Sequence, residues 1–281
     1  MKAISFAAAL IFAGAIPGFC QAPRHSLASI FNSKLAFYLP APDSAPISTL
    51  VVNTAENATI APNDWLEVHG ANLAQTTELW SNADFSHGLP TSLGGVSATI
   101  NNKPAAVYYI SPTQINILAP LDTATGAGVP VQVTTQFGKT TPLSVTEQSF
   151  SPVFLVGDAP NGHIAAQHLD YSYVGATSRS APGYPFTPAK PGETVVLYAA
   201  GFGQTNPPIT DQLAGSGPLP TLPSVTISGL PATVIYAGLA TPGLYQLNVV
   251  VPTSAPDGDL ALLATYNGVS TQTGVLITVQ H

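Results

Sequence analysis

Apolar residues occupy alternate positions in short runs along this chain, and Pro, Gly or Asn closes most of the runs. The stretch 112–120, PTQINILAP, is one such run, and 244–252, LYQLNVVVP, nearly repeats it. Side chains two apart share a face of a strand. Ile115, Ile117 and Ala119 are therefore predicted to face a core, as are Leu247, Val249 and Val251. Gln114 and Asn116 then share the opposite face, and Gln246 and Asn248 do the same. Leu66 and Val68 match Val195 and Leu197 as further core positions. Pro120 and Pro252 cannot donate to a sheet ladder, so they end their strands. A slip of one residue would drive the amides into the core, so the alternation also fixes register. The amides either bond neighbouring strands and loops or form a polar binding strip. Their presence in both copies favours a role in the fold.

The two phrases belong to a longer internal repeat. TINNKPAAVYYISPTQINILAP (99–120) aligns with TISGLPATVIYAGLATPGLYQLNVVVP (226–252), the second copy carrying five extra residues between Tyr236 and Gln246. Upstream, PNDWLEVHGANL (62–73) aligns without gaps to PGETVVLYAAGF (191–202). Downstream, residues 131–148 resemble 260–280. Short strands with turn signals every few residues, repeated over two stretches of about 100 residues, predict an all-β chain of two tandem immunoglobulin-like β-sandwiches. The expected boundaries are 47–148 and 149–281, with a hairpin and Pro-rich loop inserted near 157–190. The text before residue 47 reads differently. Lys2, an apolar stretch from Ala3 to Ile16, Pro17 and then small residues make 1–22 a signal peptide, and 23–46 an extended, Pro-rich tether. The apolar stretch is too short for a comfortable membrane span, so export to the extracellular space or cell envelope is expected, with no transmembrane segment in the mature protein.

Composition narrows the partners. Only 7% of the residues are charged and the formal net charge is −7, so neither nucleic acid nor anionic lipid finds the basic surface it requires. With 45% hydrophobic residues, 24 Gly and 27 Pro, solubility falls to Ser, Thr, Asn and Gln. Cys20 is the only cysteine and lies in the signal region, so no disulfide and no cysteine metal site is expected.

The phrases VVNTAENATIAPNDWLEVHGANLA, LPTSLGGVSATINNKPAAVYYISPTQINILAP, SFSPVFLV, KPGETVVLYAAGFGQTNP and YAGLATPGLYQLNVVVP together resemble the uncharacterised immunoglobulin-like C-terminal domain family of secreted acidobacterial proteins, related in fold to IPT/TIG domains. The resemblance covers roughly residues 47–281 and implies export and a pair of β-sandwiches. It supplies no catalytic residues to carry over. His69 stands where the family's text is apolar.

No G-x-S-x-G, H-E-x-x-H, P-loop or G-x-G-x-x-G motif occurs, and no cofactor is expected. His163, His168 and Asp170 are the strongest metal-ligand candidates. However, HLDYS (168–172) reads as a hairpin turn in which Asp and Ser serve the backbone, so no metal site is assigned. Acids are scattered singly, without the paired carboxylates of a glycoside hydrolase. Aromatic residues in loops remain: Trp80, Phe85 and His87 in the long stretch 74–94, and Tyr171, Tyr173, Tyr184 and Phe186 in the insertion. Flat rings beside Asn and Gln suit sugars or anchor protein interfaces, and they also serve to cap sandwich ends. The leading expectation is a secreted, non-catalytic binding, adhesion or structural module whose partner is an extracellular protein or polysaccharide. A carbohydrate-binding protein using the loop aromatics is the alternative, and a secreted hydrolase the second.

Overall fold

The described residues of the computed structural model are 44–53, 58–81, 84, 88–121, 125–158, 161–209, 212 and 216–281. The stretch read as a signal peptide, nearly all of that read as a tether, Phe85 and His87 lie outside them. The chain is all-β, in two large curled sheets. In the first sheet the order is Ile47–Asn53, Trp65–Ala71, Gln114–Leu118, Lys103–Ile110, Val96–Ile100, Gly126–Thr135, Leu143–Glu147 and Thr59–Ile60, the last pair running parallel. The sheet curls until its ends approach, and Asn53 Nδ2 donates to Thr59 O at 2.8 Å. No helix among the described residues is long and apolar enough to cross a membrane.

The second sheet repeats that order for its six inner strands, with the two end strands exchanged along the chain. Ala166–His168, Thr194–Ala200, Leu244–Val250, Leu230–Thr241, Ser224–Ile227, Gly258–Tyr266, Leu276–Val279 and His163–Ile164 follow one another, again with the last pair parallel. Two short strands, Tyr173–Val174 and Phe186–Thr187, extend it beyond Ala166–His168. Both come from the stretch read as an insertion.

Alternation places the faces as the sequence requires. Ile115, Ile117 and Ala119 are buried in one core with Leu66 and Val68. Leu247, Val249 and Val251 are buried in another with Val195 and Leu197. The strand pairings match too: Leu66 sits opposite Ile117, and Leu197 opposite Leu247. His69 does not enter a core. It lies half-buried on the outer face, its Nε2 3.1 Å from Glu67 Oε2.

The amides of both repeats bond each other along their own strand. Gln114 Nε2 donates to Asn116 Oδ1 at 2.8 Å, and Gln246 Nε2 donates to Asn248 Oδ1 at 2.8 Å.

Between the sheets runs a polar seam. The Trp65 indole N–H donates to Pro242 O at 3.1 Å, and a Cβ on Gly243 would fall on the Trp65 ring. Gln212 Nε2 donates to Asn63 Oδ1 at 2.9 Å and to Ala119 O at 2.8 Å. Beside Asn63, Asp64 is fully buried, and burial raises its pKa to about 8. The backbone N–H groups of Ala61 and Trp65 oppose that rise, but neither forms a well-shaped hydrogen bond to the carboxylate. The Tyr245 hydroxyl, donating to Gly203 O, faces the same acid.

Candidate functional site

The insertion residues gather around the hairpin turn His168–Ser172. His168 N donates to Ser172 O at 2.9 Å and Tyr171 N to His168 O at 3.0 Å. Asp170 Oδ1 accepts from Ser172 Oγ at 2.6 Å and from Ser172 N at 3.0 Å. Those two bonds hold the Asp170 carboxyl below the usual range. The predicted turn chemistry is therefore what Asp170 and Ser172 do.

Tyr171 does something the turn does not need. It occupies the left-handed region, with φ of 69°, at the place in such a loop where glycine is usual. Six other described non-glycine residues have positive φ: Asn63, Asn72, Asn101, Asn102, Ser228 and Asn267. All six are small and polar, and Asn tolerates this region through local hydrogen bonding. Tyr171 is the bulky exception, and its residue is 61% exposed. Leu169, two residues earlier in the turn, is exposed as well.

On one side of the turn lies a shallow pocket of about 390 Å³, lined among others by His168, Asp170, Thr187, Lys190 and Glu193. His168 Nδ1 is 2.6 Å from Glu193 Oε1, and its Nε2 is 2.9 Å from Thr187 Oγ1. Glu193 Oε2 accepts from Lys190 N at 2.8 Å, which closes the turn leading into its strand. The repeat alignment sets Glu193 opposite Asp64, so the sequence did carry a signal for this acid. One copy became solvent-reachable beside a histidine and the other was sealed into the seam.

On the other side is a row of rings. Tyr173 lies 5.3 Å from Phe186 at 30° and 6.1 Å from Tyr184 at 34°. Arg179 stacks on Phe186, 4.5 Å from the ring centroid, while its Nε is 3.5 Å from Asp158 Oδ2. Tyr184 is 44% exposed. Gln167 joins the row to the turn: its Nε2 donates to Tyr171 O at 3.1 Å, and its Oε1 accepts from the Tyr198 hydroxyl at 2.6 Å. Burial raises the Tyr198 pKa, with the nearby Tyr171 and Tyr173 adding to the effect. Gln167, Tyr198 and Arg179 carry no motif, and nothing local in the sequence marks them.

The three candidate metal-ligating residues do not converge. His163 lies between Asp158 and Asp259, with Nδ1 at 3.4 Å and Nε2 at 3.2 Å from their carboxylates. His168 turns to Glu193 and Asp170 to Ser172. No group of three or more acidic, histidine or cysteine side chains among the described residues is placed to hold a metal ion.

Trp80 is not a free-standing platform. It is half-buried and stands edge-on to Tyr108, 4.9 Å away at 90°, and to Trp65, 5.8 Å away at 69°. This ring cluster closes the outer face of the first sheet beside the seam. Of the six aromatic and histidine candidates, the structure brings together Tyr171, Tyr173 and Tyr184, while Trp80 belongs elsewhere.

No protein-family model matches the chain, and no curated protein matches it. Among solved structures it is similar to a surface glycan-binding protein of Prevotella bryantii, at 11% identity and a TM-score of 0.26, covering 82% of this chain and 41% of that one. It is similar to a glycan-binding protein from a mixed-linkage glucan utilization locus of Bacteroides ovatus, at 10% identity and a TM-score of 0.35, covering 84% and 46%. Domains 5–6 of the S-layer protein SbsC are a third likeness, at 11% identity and a TM-score of 0.25, covering 84% and 98%. The chain thus spans less than half the length of the first two. TM-scores of this size bear on neither the ligand nor the arrangement of the sheets.

Proposed function

We propose that this is an exported, non-catalytic binding protein that holds an extracellular polysaccharide at the His168–Ser172 hairpin and the ring-bearing edge beside it. The observation that carries the reading is Tyr171. A bulky side chain held at positive φ costs the fold of order 1 kcal/mol, and residues kept at such a cost cluster where contact with a ligand repays it. The ring it displays is exposed, its backbone carbonyl is held by the Gln167 amide, and Tyr173, Tyr184 and Phe186 form a row on one side of the same hairpin. Rings stack on the apolar faces of sugars and amides bond their hydroxyls. The resemblance to the immunoglobulin-like domains of secreted acidobacterial proteins agrees with export.

The test is affinity electrophoresis of the mature protein through gels containing single polysaccharides. Retardation by at least one of them, lost in Tyr171→Asn while the variant keeps its thermal stability, is the expected result. Unretarded migration of the folded wild-type protein in every polysaccharide gel refutes the reading, and a protein partner then becomes the better one.

A further inference from the structure

The outer face of the second sheet carries a continuous row that the hairpin alone does not explain. Strand pairing sets Phe186 opposite Tyr173, Tyr173 opposite Gln167, and Gln167 opposite Val196. Val196 lies opposite Asn248, and Asn248 opposite Tyr236. A second row runs beside it through Tyr198, Gln246 and Gly238. Six strands at the usual spacing make the first row about 24 Å wide. Neighbouring strands are separated by nearly the length of one sugar residue in an extended glycan, so successive strands meet successive sugars.

Gly238 has a specific part. A Cβ there would run into the Tyr236 hydroxyl, Gly217 O and Pro218. With no side chain at Gly238, the Tyr236 hydroxyl reaches over that position, so Tyr236 leans along its strand at the end of the row.

The first sheet supplies a comparison within the same molecule. Its equivalent row is Val52, Glu67, Asn116 and Tyr109, with the same amide pair at the same 2.8 Å. There Asn116 is 1% exposed, Glu67 and His69 form an ion pair, and the Trp65–Trp80–Tyr108 cluster lies alongside. In the second sheet Gln246, Asn248 and Tyr236 all keep partial exposure, and Val196 and Tyr198 replace the charged pair. Both glutamines are partly exposed, so the two copies differ at the asparagine: Asn116 is covered, whereas Asn248 keeps partial exposure. The second row is uncharged and flanked by rings, with Gln167 and Val196 buried as its floor.

We infer that the row from Phe186 to Tyr236 is an extended binding face for a neutral, unbranched polysaccharide lying across the strands, with Gln246 and Asn248 bonding its hydroxyls. This rests on the hairpin reading above and extends it: Tyr171 grips one end of the chain, and Gln167, bonded to both Tyr171 and Tyr198, joins that grip to the face. The choice of a neutral ligand follows from the absence of charge in either row. Arg179, which stacks on Phe186 at the row's edge, is already paired with Asp158.

The experiment uses the full mature chain, a neutral linear β-glucan, its carboxymethylated derivative, and neutral oligosaccharides of increasing length. Affinities are measured by calorimetry for the wild type, Tyr171→Asn, Tyr236→Ala, Gln246→Ala, and Gln114→Ala as the first-sheet counterpart, with melting curves for each. The wild type should bind the neutral glucan with little salt dependence, and affinity should rise with oligosaccharide length. Tyr236→Ala and Gln246→Ala should each lose about tenfold for long chains, the size of one good contact, and nothing for the shortest. Gln114→Ala should change neither. Tyr236→Phe keeps the ring and should keep most of the affinity, which guards against a folding defect in Tyr236→Ala. If Tyr171→Asn abolishes binding while the face variants bind every length normally, the face inference fails and the hairpin reading stands. Preference for the carboxymethylated glucan, screened by salt, overturns the neutral assignment. No binding to any of these probes overturns the face inference, and unretarded migration in every polysaccharide gel overturns the hairpin reading with it.

Discussion

Replacing Tyr171 by Asn separates a ring kept for binding from a ring kept for packing. The left-handed region costs a bulky L-residue about 1–2 kcal/mol, and Asn visits it far more readily, so the substitution should recover much of that strain. Against this stands the lost burial. A tyrosine can bury about 200 Å²; with the residue 61% exposed, some 80 Å² is covered, or about 2 kcal/mol at 25 cal/mol per Å². Roughly half of that covered area is backbone and Cβ that Asn retains, leaving about 1 kcal/mol to lose. The balance falls between zero and about 1 kcal/mol in favour of the variant, a rise of at most about 4 °C in melting temperature for a chain of this size. A ring packed as a core residue would instead cost about 3–5 kcal/mol on truncation. Thermal unfolding followed by circular dichroism resolves a gap that wide. Pairing it with polysaccharide gel retardation on the same preparation completes the test. A melting temperature lowered by more than about 5 °C, or unchanged retardation, refutes the argument that Tyr171 accepts strain in order to present its ring.

The remaining expectations concern the seam, the cores and the ring cluster. Asp64 has a folded pKa of about 8 against an unfolded value near 4, so the native state holds a proton that the unfolded chain has released. The contribution of Asp64 to stability should be full below about pH 4 and fall as pH rises to about 8, then level off. Asp64→Asn, neutral throughout, should gain about 2–4 kcal/mol at pH 7 and little at pH 4, read from urea unfolding at both. Ile117→Ala and Val249→Ala, each wholly buried in its own core, should cost about 2–4 kcal/mol apiece by denaturant titration; negligible shifts in both midpoints would mean the faces are misassigned. Trp80→Ala, which removes one member of the three-ring cluster, should lower stability by about 1–3 kcal/mol and leave polysaccharide retardation intact. Loss of retardation without loss of stability would return Trp80 to the binding surface.

The period-two alternation and the repeat were enough to place Ile115, Ile117, Leu247 and Val249 in cores and to pair the two strand sets, because face and register follow from local spacing. The turn at His168–Ser172 was legible for the same reason: Asp and Ser act on backbone two residues away. What alternation could not decide is what covers the other face. Gln114-x-Asn116 and Gln246-x-Asn248 have the same spacing and make the same 2.8 Å bond. Only the packing of Trp80 and Tyr108 beside one, and the edge strands Tyr173–Val174 and Phe186–Thr187 extending the sheet of the other, set them apart. Trp80 looked like a platform because its neighbours in sequence are polar, whereas Trp65 and Tyr108, distant along the chain, decide its place. Asp64 and Glu193 likewise start equivalent strands. The second sheet packs against the first acid and a histidine stands beside the second, and burial depends on residues far along the chain that no window around either acid contains.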